Sequence, residues 1–402
     1  MRLCRLQLFD YRNFHRLDIE LPEPSALFIG DNAQGKSNLL EAVYLLATMR
    51  GLRVETDVQL IHHDSLNDVL PAARVIGEAQ TLGGALKIEV AVVARPGARG
   101  PIAGKTVKVN GVSKRMSDAV GRLTAVLFSA DDLQMVEGSP SLRRRYIDMM
   151  LMQVDQQYSA ARSRFERVLM QRNHLLKRIR DGEAQAEELR FWDDELSKDG
   201  GLIVQRRATA LAEIAVMAAE FHSLLAAHER LEIRYQPRID SPRADLAATP
   251  AEEVAECFTA ALRRGLTNDI GAGMTLQGPH RDDVFFGLND LSAAGYASRA
   301  QQRTIALSLR LAEAQLLLRR RGEAPVLLLD DVLSEMDASR RQAVLAAVHD
   351  VEQMLITGAD WDRFPPEFRS RAACFAVEEG NVRPLTVAPA AERTAGSSEI
   401  SG

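Results

Sequence analysis

The chain has 402 residues, of which 46% are hydrophobic and 26% are charged. This composition excludes a disordered or fibrous protein, and the length allows one large core with a subdomain. The net charge of −5 and the pI near 6.0 exclude a uniformly basic surface, so contacts with nucleic acid must come from local patches. Cys4, Cys257 and Cys374 are scattered without disulfide or metal spacing, which is typical of a reducing cytosol.

The first 30 residues alternate apolar and polar side chains, as in Leu17, Ile19 and Leu21. A period of two predicts antiparallel strands and argues against a signal peptide. No continuous apolar run approaches the roughly 20 residues needed to cross a bilayer. The sequence therefore predicts a soluble, cytoplasmic protein that makes no membrane contact.

Residues 26–40 read ALFIGDNAQGKSNLL, which places the pattern GxxxxGK[ST] between an apolar run and a helical pattern. In that context the pattern is typical of a loop that binds the phosphates of a nucleoside triphosphate. Lys36 is predicted to contact the β- and γ-phosphates and to act in catalysis, and the Ser37 hydroxyl is predicted to bind Mg²⁺. The predicted nucleotide-binding residues are Gly30, Asp31, Asn32, Ala33, Gln34, Gly35, Lys36, Ser37 and Asn38.

Residues 83–115 predict a strand pair with a hairpin turn at Asn110-Gly111. From about residue 140 to 230 the pattern is helical, with an interruption at Gly200-Gly201. The longest uninterrupted helix, about 40 residues, would span roughly 60 Å. This length is too short for a long-armed tether and predicts a short arm.

Several arginines of the helical region share a face at helical spacing and could follow a phosphate backbone without reading bases. An ordinary solvated face, or pairing of Arg144 or its neighbours with Asp148, is an equally good interpretation of the sequence alone. The polar segment HRDD at residues 280–283 is interpreted as part of a buried polar network and not as a direct contact to DNA or nucleotide. The adjacent pair His62-His63 is interpreted as part of a loop and not as a metal site. The predicted DNA-binding residues are Arg143, Arg144, Arg162, Arg164 and Arg167.

Residues 326–329 are apolar and predict a buried parallel strand that delivers two carboxylates at its C-terminal end. Asp330 is predicted to bind Mg²⁺. Asp331 is predicted to lie on the other face of the strand and to orient or deprotonate the attacking water. Ser298 stands at the N-cap position of a long amphipathic helix, which predicts a small anion site.

This series of motifs resembles the ATP-binding-cassette superfamily, and within it the RecF family of bacterial DNA-repair ATPases, over nearly the whole chain to about residue 387. The resemblance implies that Asp331 replaces the usual catalytic glutamate and that residues 334–337 link the two sites of a dimer. It places Ala300 where a glycine is usual, which would restrict the approach of the backbone to the phosphate. It also places Thr357 where a switch histidine is usual, so hydrolysis should be slow. The resemblance also implies a signature motif, a short segment that contacts ATP held by another subunit. This signature is Ser298, Arg299, Ala300 and Gln301. The resembling stretches are LQLFDYRNF, GDNAQGKSNLLEAVYLL, LFSADDLQMVEGSPSLRRRYID, GPHRDDV, SRAQQRT and LLLDDVLSEMD.

The resemblance implies an α/β fold, an ATPase head of the ATP-binding-cassette type with an antiparallel β subdomain and a helical insert that forms a short antiparallel arm. The predicted domains are a first head part at 1–135, the arm at 136–265, a second head part at 266–387 and a disordered tail at 388–402.

The implied function is that of a DNA-binding, slowly hydrolysing ATPase that uses ATP and Mg²⁺ and dimerises head-to-tail on ATP. It would act as a clamp on duplex or gapped DNA without sequence preference. In recombinational repair and replication restart, it would help mediator proteins of the RecO and RecR types to load recombinase. Two other interpretations stay open, a nucleotide-gated scaffold with little turnover and the ATPase subunit of a membrane transporter.

Overall fold

The computed structural model describes residues 1–97, 100–239, 245–332, 341–342, 344, 351–361, 364, 366–369 and 371–385. The predicted linking loop at 334–337 and the predicted tail at 388–402 lie outside the described residues.

A six-stranded sheet forms the centre of the head, in the order β15-β14-β3-β13-β12-β8. Every pair in it is parallel except β14 with β15. Strands β8, β12 and β13 are buried along their whole length, which explains their nearly continuous apolar sequence. The strands are β3 Ser25–Ile29, β8 Ala125–Ser129, β12 Val326–Asp330, β13 Met354–Gly358, β14 Ala372–Glu378 and β15 Asn381–Leu385.

A second six-stranded sheet, entirely antiparallel, has the order β2-β1-β4-β5-β6-β7 and confirms the predicted β subdomain. Asn110 and Gly111 have φ angles of 50° and 79°, so they form the predicted hairpin turn, which joins β6 to β7. The strands are β1 Arg2–Tyr11, β2 Phe14–Glu20, β4 Ala72–Thr81, β5 Gly84–Arg95, β6 Ile102–Val109 and β7 Val112–Lys114.

The predicted helical region contains α4 (Pro140–Val154), α5 (Gln156–Arg180) and α6 (Leu189–Leu225). The prediction of one 40-residue helix across the first part was wrong, because Asp155 has an extended backbone and caps α5 by accepting from the Tyr158 N–H. The longest helix is α6, whose 37 residues span roughly 55 Å. The arm is therefore short, as predicted.

The predicted interruption at Gly200-Gly201 was also wrong, because both glycines lie inside α6. A Cβ on Gly200 would lie 2.5 Å from the Phe258 ring, and one on Gly201 would lie 2.6 Å from the backbone nitrogen of Ala255. Phe258 and Ala255 belong to α7 (Ala251–Ala272), so the glycines allow two helices to pack closely. The predicted domain boundary at 265 falls inside α7, whereas the other boundaries stay predictions.

By length and composition alone, the segment Ala186–Leu225 could cross a membrane, which differs from the sequence expectation. Core helices pass the same test. Here α6 packs against α5, α7 and α9 (Arg299–Arg321), and its interior positions include the buried, ion-paired Arg207. The helix is therefore packed against other elements of the fold along one face.

A three-stranded sheet, in the order β11-β10-β9, joins the arm to the second part of the head. Its strand β9 lies in the predicted helical insert, yet it pairs with β10, so the arm and head are interleaved along the chain. The remaining elements are β9 Leu231–Gln236, β10 Asp283–Leu288, β11 Leu291–Ser292, α1 Lys36–Thr48, α2 Met116–Ala119, α3 Leu133–Glu137, α8 Ala293–Tyr296, α9 Arg299–Arg321, α10 Pro366–Arg369 and 3₁₀ turns at Asp57–Leu60, Asp64–Asn67, Ala130–Asp132 and Ala186–Glu188.

Candidate nucleotide site

The loop between β3 and α1 has the backbone shape of a phosphate cradle. Gly35 has a φ of 109°, and a Cβ on Gly30 would lie only 2.2 Å from the Val377 carbonyl oxygen, so side chains are excluded at both positions. Lys36 Nζ donates to the carbonyls of Gly30 and Asp31 at 2.5 and 2.7 Å. Burial lowers the pKa of Lys36, and the nearby aspartates partly offset this effect. The ammonium group is thus held over the loop where phosphates would lie.

Two turns that the sequence analysis did not single out hold this loop from outside. Asn13, at the turn between β1 and β2, donates from Nδ2 to the Gln34 carbonyl at 3.0 Å and accepts from Asn38 Nδ2 at 2.8 Å. In the turn between β14 and β15, the Glu379 N–H donates to Gln34 Oε1 at 2.6 Å and the Gly380 N–H donates to the Gln34 carbonyl at 3.2 Å. Asn13 lies in the stretch LQLFDYRNF, but nothing in the sequence assigns it this role, and Glu379 and Gly380 meet the loop only through the fold.

Ser37 and Asp330 meet at the C-terminal edge of the central sheet, as predicted from the two motifs. Ser37 Oγ donates to Asp330 Oδ1 at 2.7 Å across 293 positions of sequence. Thr357, on the strand between β3 and β12, donates to the same carboxylate oxygen at 3.0 Å and accepts from the Asp331 N–H at 2.9 Å. Hydroxyl and carboxylate oxygens are the donors that Mg²⁺ prefers, so the residues present fit this metal.

Arg53 is a further charged residue of the site that the motifs do not reveal. Its guanidinium donates to Asp330 Oδ2 at 3.3 Å, to Asp131 Oδ2 at 2.5 Å and to Glu41 Oε1 at 3.2 Å. Burial raises the pKa of Glu41, while Arg12 and Arg53 lower it. A divalent cation bound to Asp330 would therefore compete with Arg53 for the same carboxylate.

Asp331 does not continue the alternation of β12, so the predicted placement on the opposite strand face was wrong. The strand ends at Asp330, and Asp331 has a φ of 56°, in the left-handed region. Its carboxylate acts to raise the pKa of Lys36, which places its charge close to the phosphate loop. Its role toward water stays a prediction.

Ser298 forms the predicted N-cap of α9, in a capping box with Gln301. The Gln301 N–H donates to Ser298 Oγ at 3.3 Å, and the Ser298 N–H donates to Gln301 Oε1 at 2.8 Å. Ser298, Arg299 and Ala300 are exposed. Helix α9 packs against β8, which stands three strand positions from β3, or roughly 14 Å. Among the described residues, no hydrogen bond or ion pair joins residues 298–300 to the phosphate loop at 30–38.

The arginines that the sequence analysis assigned to DNA do not form one free cationic face. Three of them pair with carboxylates, and a fourth donates to a backbone carbonyl, which leaves their charges largely committed within the fold. Arg167 is exposed on α5. The contacts are Arg143 Nε to Asp283 (2.6 Å), Arg162 Nε to Asp148 (3.0 Å), Arg164 to Asp199 (2.6 Å) and Arg144 to the Asp282 carbonyl (2.7 Å).

A buried network joins the arm to the head and confirms the interpretation of HRDD as a structural element. Arg207 on α6 donates to Asp148 Oδ1 at 2.7 Å and to Asp282 Oδ2 at 3.1 Å. The hydroxyls of Tyr158 and Tyr235 donate to the same two carboxylates. Burial by itself raises the pKa of Asp148, but the neighbouring arginines outweigh it, so the net pKa lies below its usual value.

A cavity of about 700 Å³ opens between the segment 50–57, strand β6 and the arm. Its lining has six cationic side chains against three carboxylates. In the described part of the chain, Arg50, Arg144 and Arg145 form no ion pair with a carboxylate. Arg145 donates to the carbonyls of residues 51 and 52. The structure thus concentrates positive charge at the junction of head and arm. The lining cations are Arg50, Lys105, Arg144, Arg145, Arg162 and Arg207.

Comparisons with known proteins agree with this geometry. The chain matches the family described as RecF/RecN/SMC N terminal domain over residues 2–364. It is 38% identical over 393 residues to the DNA replication and repair protein RecF of Chloroflexus aurantiacus, covering 95% of this chain and 99% of that protein.

Two solved structures are similar to the chain over 96% of its length. A structure of the recombination mediator protein RecF with ATP, in the RecFOR pathway, has a TM-score of 0.84, 30% identity and 97% of its own chain covered. An Smc head domain of Pyrococcus furiosus, bound to the C-terminal domain of ScpA, has a TM-score of 0.51, 14% identity and 96% coverage. The second likeness concerns the fold alone.

Proposed function

The chain belongs to the RecF family of DNA replication and repair proteins, and on that premise we propose that two copies close head-to-tail on ATP to form a clamp on DNA. ATP would lie on the loop 30–38, with Mg²⁺ on Ser37 and Asp330. The clamp would act at duplex or gapped DNA in the cytoplasm. There it would help mediator proteins of the RecO and RecR types to load recombinase during recombinational repair.

The observation that carries this proposal is that the exposed signature makes no hydrogen bond to the phosphate loop of its own chain among the described residues. Lys36 and Arg53 supply positive charge from one side of the nucleotide. The exposed N-terminus of α9, which begins at Arg299, offers N–H groups and a helix dipole that favour an anion. A second copy would bring that surface to the γ-phosphate, so ATP would stabilise the dimer by mass action.

Slow hydrolysis is the second part of the proposal. Asp331 is shorter than the glutamate usual in this superfamily, and Thr357 offers a hydroxyl where a histidine is usual. In this chain Thr357 is committed to Asp330 and to the Asp331 N–H, so it positions the carboxylates. ATP would therefore persist in the closed dimer. A scaffold with little turnover differs from this proposal only in the rate.

DNA binding is assigned to the cationic cavity at the junction of head and arm. Arg144 of the predicted DNA-binding set lines this cavity together with Arg50 and Arg145. Phosphate contacts of this kind position a duplex without reading its sequence. This assignment replaces a DNA surface along the arm, where Arg164 is neutralised by Asp199.

A complementation experiment tests the head-to-tail arrangement. Ser298→Arg places bulk and charge on the signature, whereas Lys36→Ala removes the cation of the phosphate loop. We expect neither variant to dimerise with ATP in sedimentation velocity. An equal mixture should form heterodimers, because one intact loop then faces one intact signature.

Ser113→Arg is the matched control, since it adds the same side chain at an exposed position of β7. It should dimerise with ATP as the parent does. A Ser298→Arg protein that dimerises alone, or a mixture that stays monomeric while the parent dimerises, would rule out the composite site.

A further inference from the structure

A cluster of histidines and carboxylates lies beside the turn that holds the phosphate loop. His15 lies in β2, while His62 and Asp64 follow the 3₁₀ turn at Asp57–Leu60. The two segments are joined by a β-bridge between Tyr11 and Ile61 and by the His62 N–H, which donates to the Asp10 carbonyl at 2.7 Å. The backbone therefore fixes these side chains next to one another.

The distances within the cluster are close to those of a metal site. Asp64 Oδ2 lies 3.5 Å from His15 Nε2 and 3.9 Å from His62 Nδ1. One ligand atom from each of these three residues lies within 4.8 Å of the others. Ligands around tetrahedral zinc, with bonds of about 2.0–2.1 Å, lie roughly 3.3–3.4 Å apart. Small side-chain rotations would close the difference.

The hydrogen bonds around His15 orient it as a ligand. Its Nδ1 lies 3.0 Å from Asp10 Oδ1, so the proton on that nitrogen is directed to a carboxylate. The Nε2 lone pair then faces Asp64. A carboxylate behind the second ring nitrogen is the usual outer contact of a metal-binding histidine, because it fixes the tautomer and the ring orientation.

His62 also has a ring nitrogen whose lone pair is available to a metal. Its Nδ1 accepts from the Asp64 N–H at 3.2 Å, so this nitrogen carries its lone pair, and a metal would replace that long hydrogen bond. The ring is buried and lies 3.7 Å from the His15 ring, centroid to centroid.

We propose that His15, His62 and Asp64 bind one divalent transition-metal ion such as zinc, and that water completes its coordination. Two neutral imidazoles suit zinc and related ions better than they suit Mg²⁺. Asp64, with Asp10 behind it, offsets the charge of the ion. The metal fastens the turn that carries Asn13, and through Asn13 it braces the phosphate loop.

Isothermal titration of the metal-stripped full chain with zinc chloride tests this site. Excess Mg²⁺ is added and nucleotide is omitted, so that zinc binding at Asp330 does not contribute to the measured stoichiometry. We expect one zinc per chain, and at least a tenfold loss of affinity in both His15→Ala and Asp64→Asn. Cobalt(II) should give visible absorption bands with the parent and none with His15→Ala. Both replaced side chains are exposed, so the variants should fold.

His174→Ala, at an exposed position of α5, is the matched control and should keep the parent's stoichiometry and affinity. Lys36→Ala should also keep zinc binding, which separates this site from the nucleotide site. The proposal fails if the parent takes up no zinc at micromolar concentrations. It fails equally if His15→Ala and Asp64→Asn bind zinc as tightly as the parent, since the ion then lies elsewhere.

Discussion

The nucleotide site and the arm both depend on charged side chains, but their charges are used differently. In the nucleotide site, the motif that contains Lys36 and Ser37 also fixes the backbone of the loop. Both side chains are therefore held at the edge of the loop. In the arm, Arg162 and Arg164 are neutralised by carboxylates that no motif links to them. A motif therefore identifies a site, whereas a row of charges does not show that those charges are available.

Loss of Asp148 should lower the stability of the fold and leave nucleotide binding unchanged. Asp148→Ala leaves Arg207 buried without one of its counter-ions, which should lower the free energy of unfolding by about 3–5 kcal/mol. Urea denaturation followed by circular dichroism measures this change. The folded variant should bind ATP with the parent's affinity, because the network does not contact the phosphate loop. Asp18→Ala, which removes an exposed ion pair, is the control and should change stability little. Equal effects of the two variants would contradict the role of the buried network.

Loss of Lys36 should produce the reverse pattern. Lys36→Ala removes the cation held over the loop, and charge-assisted hydrogen bonds of this kind contribute about 1.5–3 kcal/mol each. We expect an ATP affinity about 100-fold weaker or worse in equilibrium binding, with nearly unchanged stability to urea. Lys87→Ala removes an exposed lysine of β5 and should leave ATP binding intact. Unchanged affinity in Lys36→Ala would refute the loop assignment.

Asp331→Asn separates catalysis from nucleotide binding within the same site. It removes the carboxylate that orients or deprotonates water and leaves Asp330 for Mg²⁺, so ATP should still bind. Single-turnover hydrolysis should slow by about 100-fold, the lower end of general-base effects. The variant should accumulate as an ATP-bound dimer in sedimentation. A rate equal to the parent's would show that Asp331 does not act on water.

The smallest expected effect is on DNA binding, where the cationic cavity can be compared directly with the arm. Arg144→Ala in the cavity should weaken binding alike on unrelated duplexes and lower the salt slope by about one unit, the value for one phosphate contact. Arg164→Ala on the arm should change the slope less, because that charge is already paired. Fluorescence anisotropy over a series of salt concentrations measures both. A larger effect for Arg164 would return the DNA surface to the arm.

Elements with strong local signals were predicted well. The phosphate loop, the turn at Asn110-Gly111, the strand ending at Asp330 and the N-cap at Ser298 each depend on backbone geometry that a few adjacent residues impose. One prediction failed because packing overrides local preference. A Gly-Gly pair usually weakens a helix, but in α6 it allows α7 to approach, and the packing offsets the lost propensity.

By itself, the sequence determined that this chain has a phosphate loop, a carboxylate pair on a buried strand and a capped helix that could meet an anion. These features are local, so a contiguous motif is enough to specify them. Only the tertiary structure decided which distant side chains complete or neutralise them. Asn13 and Arg53 reach the nucleotide site, Asp148 and Asp282 neutralise Arg207, and His15 meets His62 through contacts between segments far apart in sequence. The availability of a charge or a ligand depends on its neighbours in space, and the fold alone sets those neighbours.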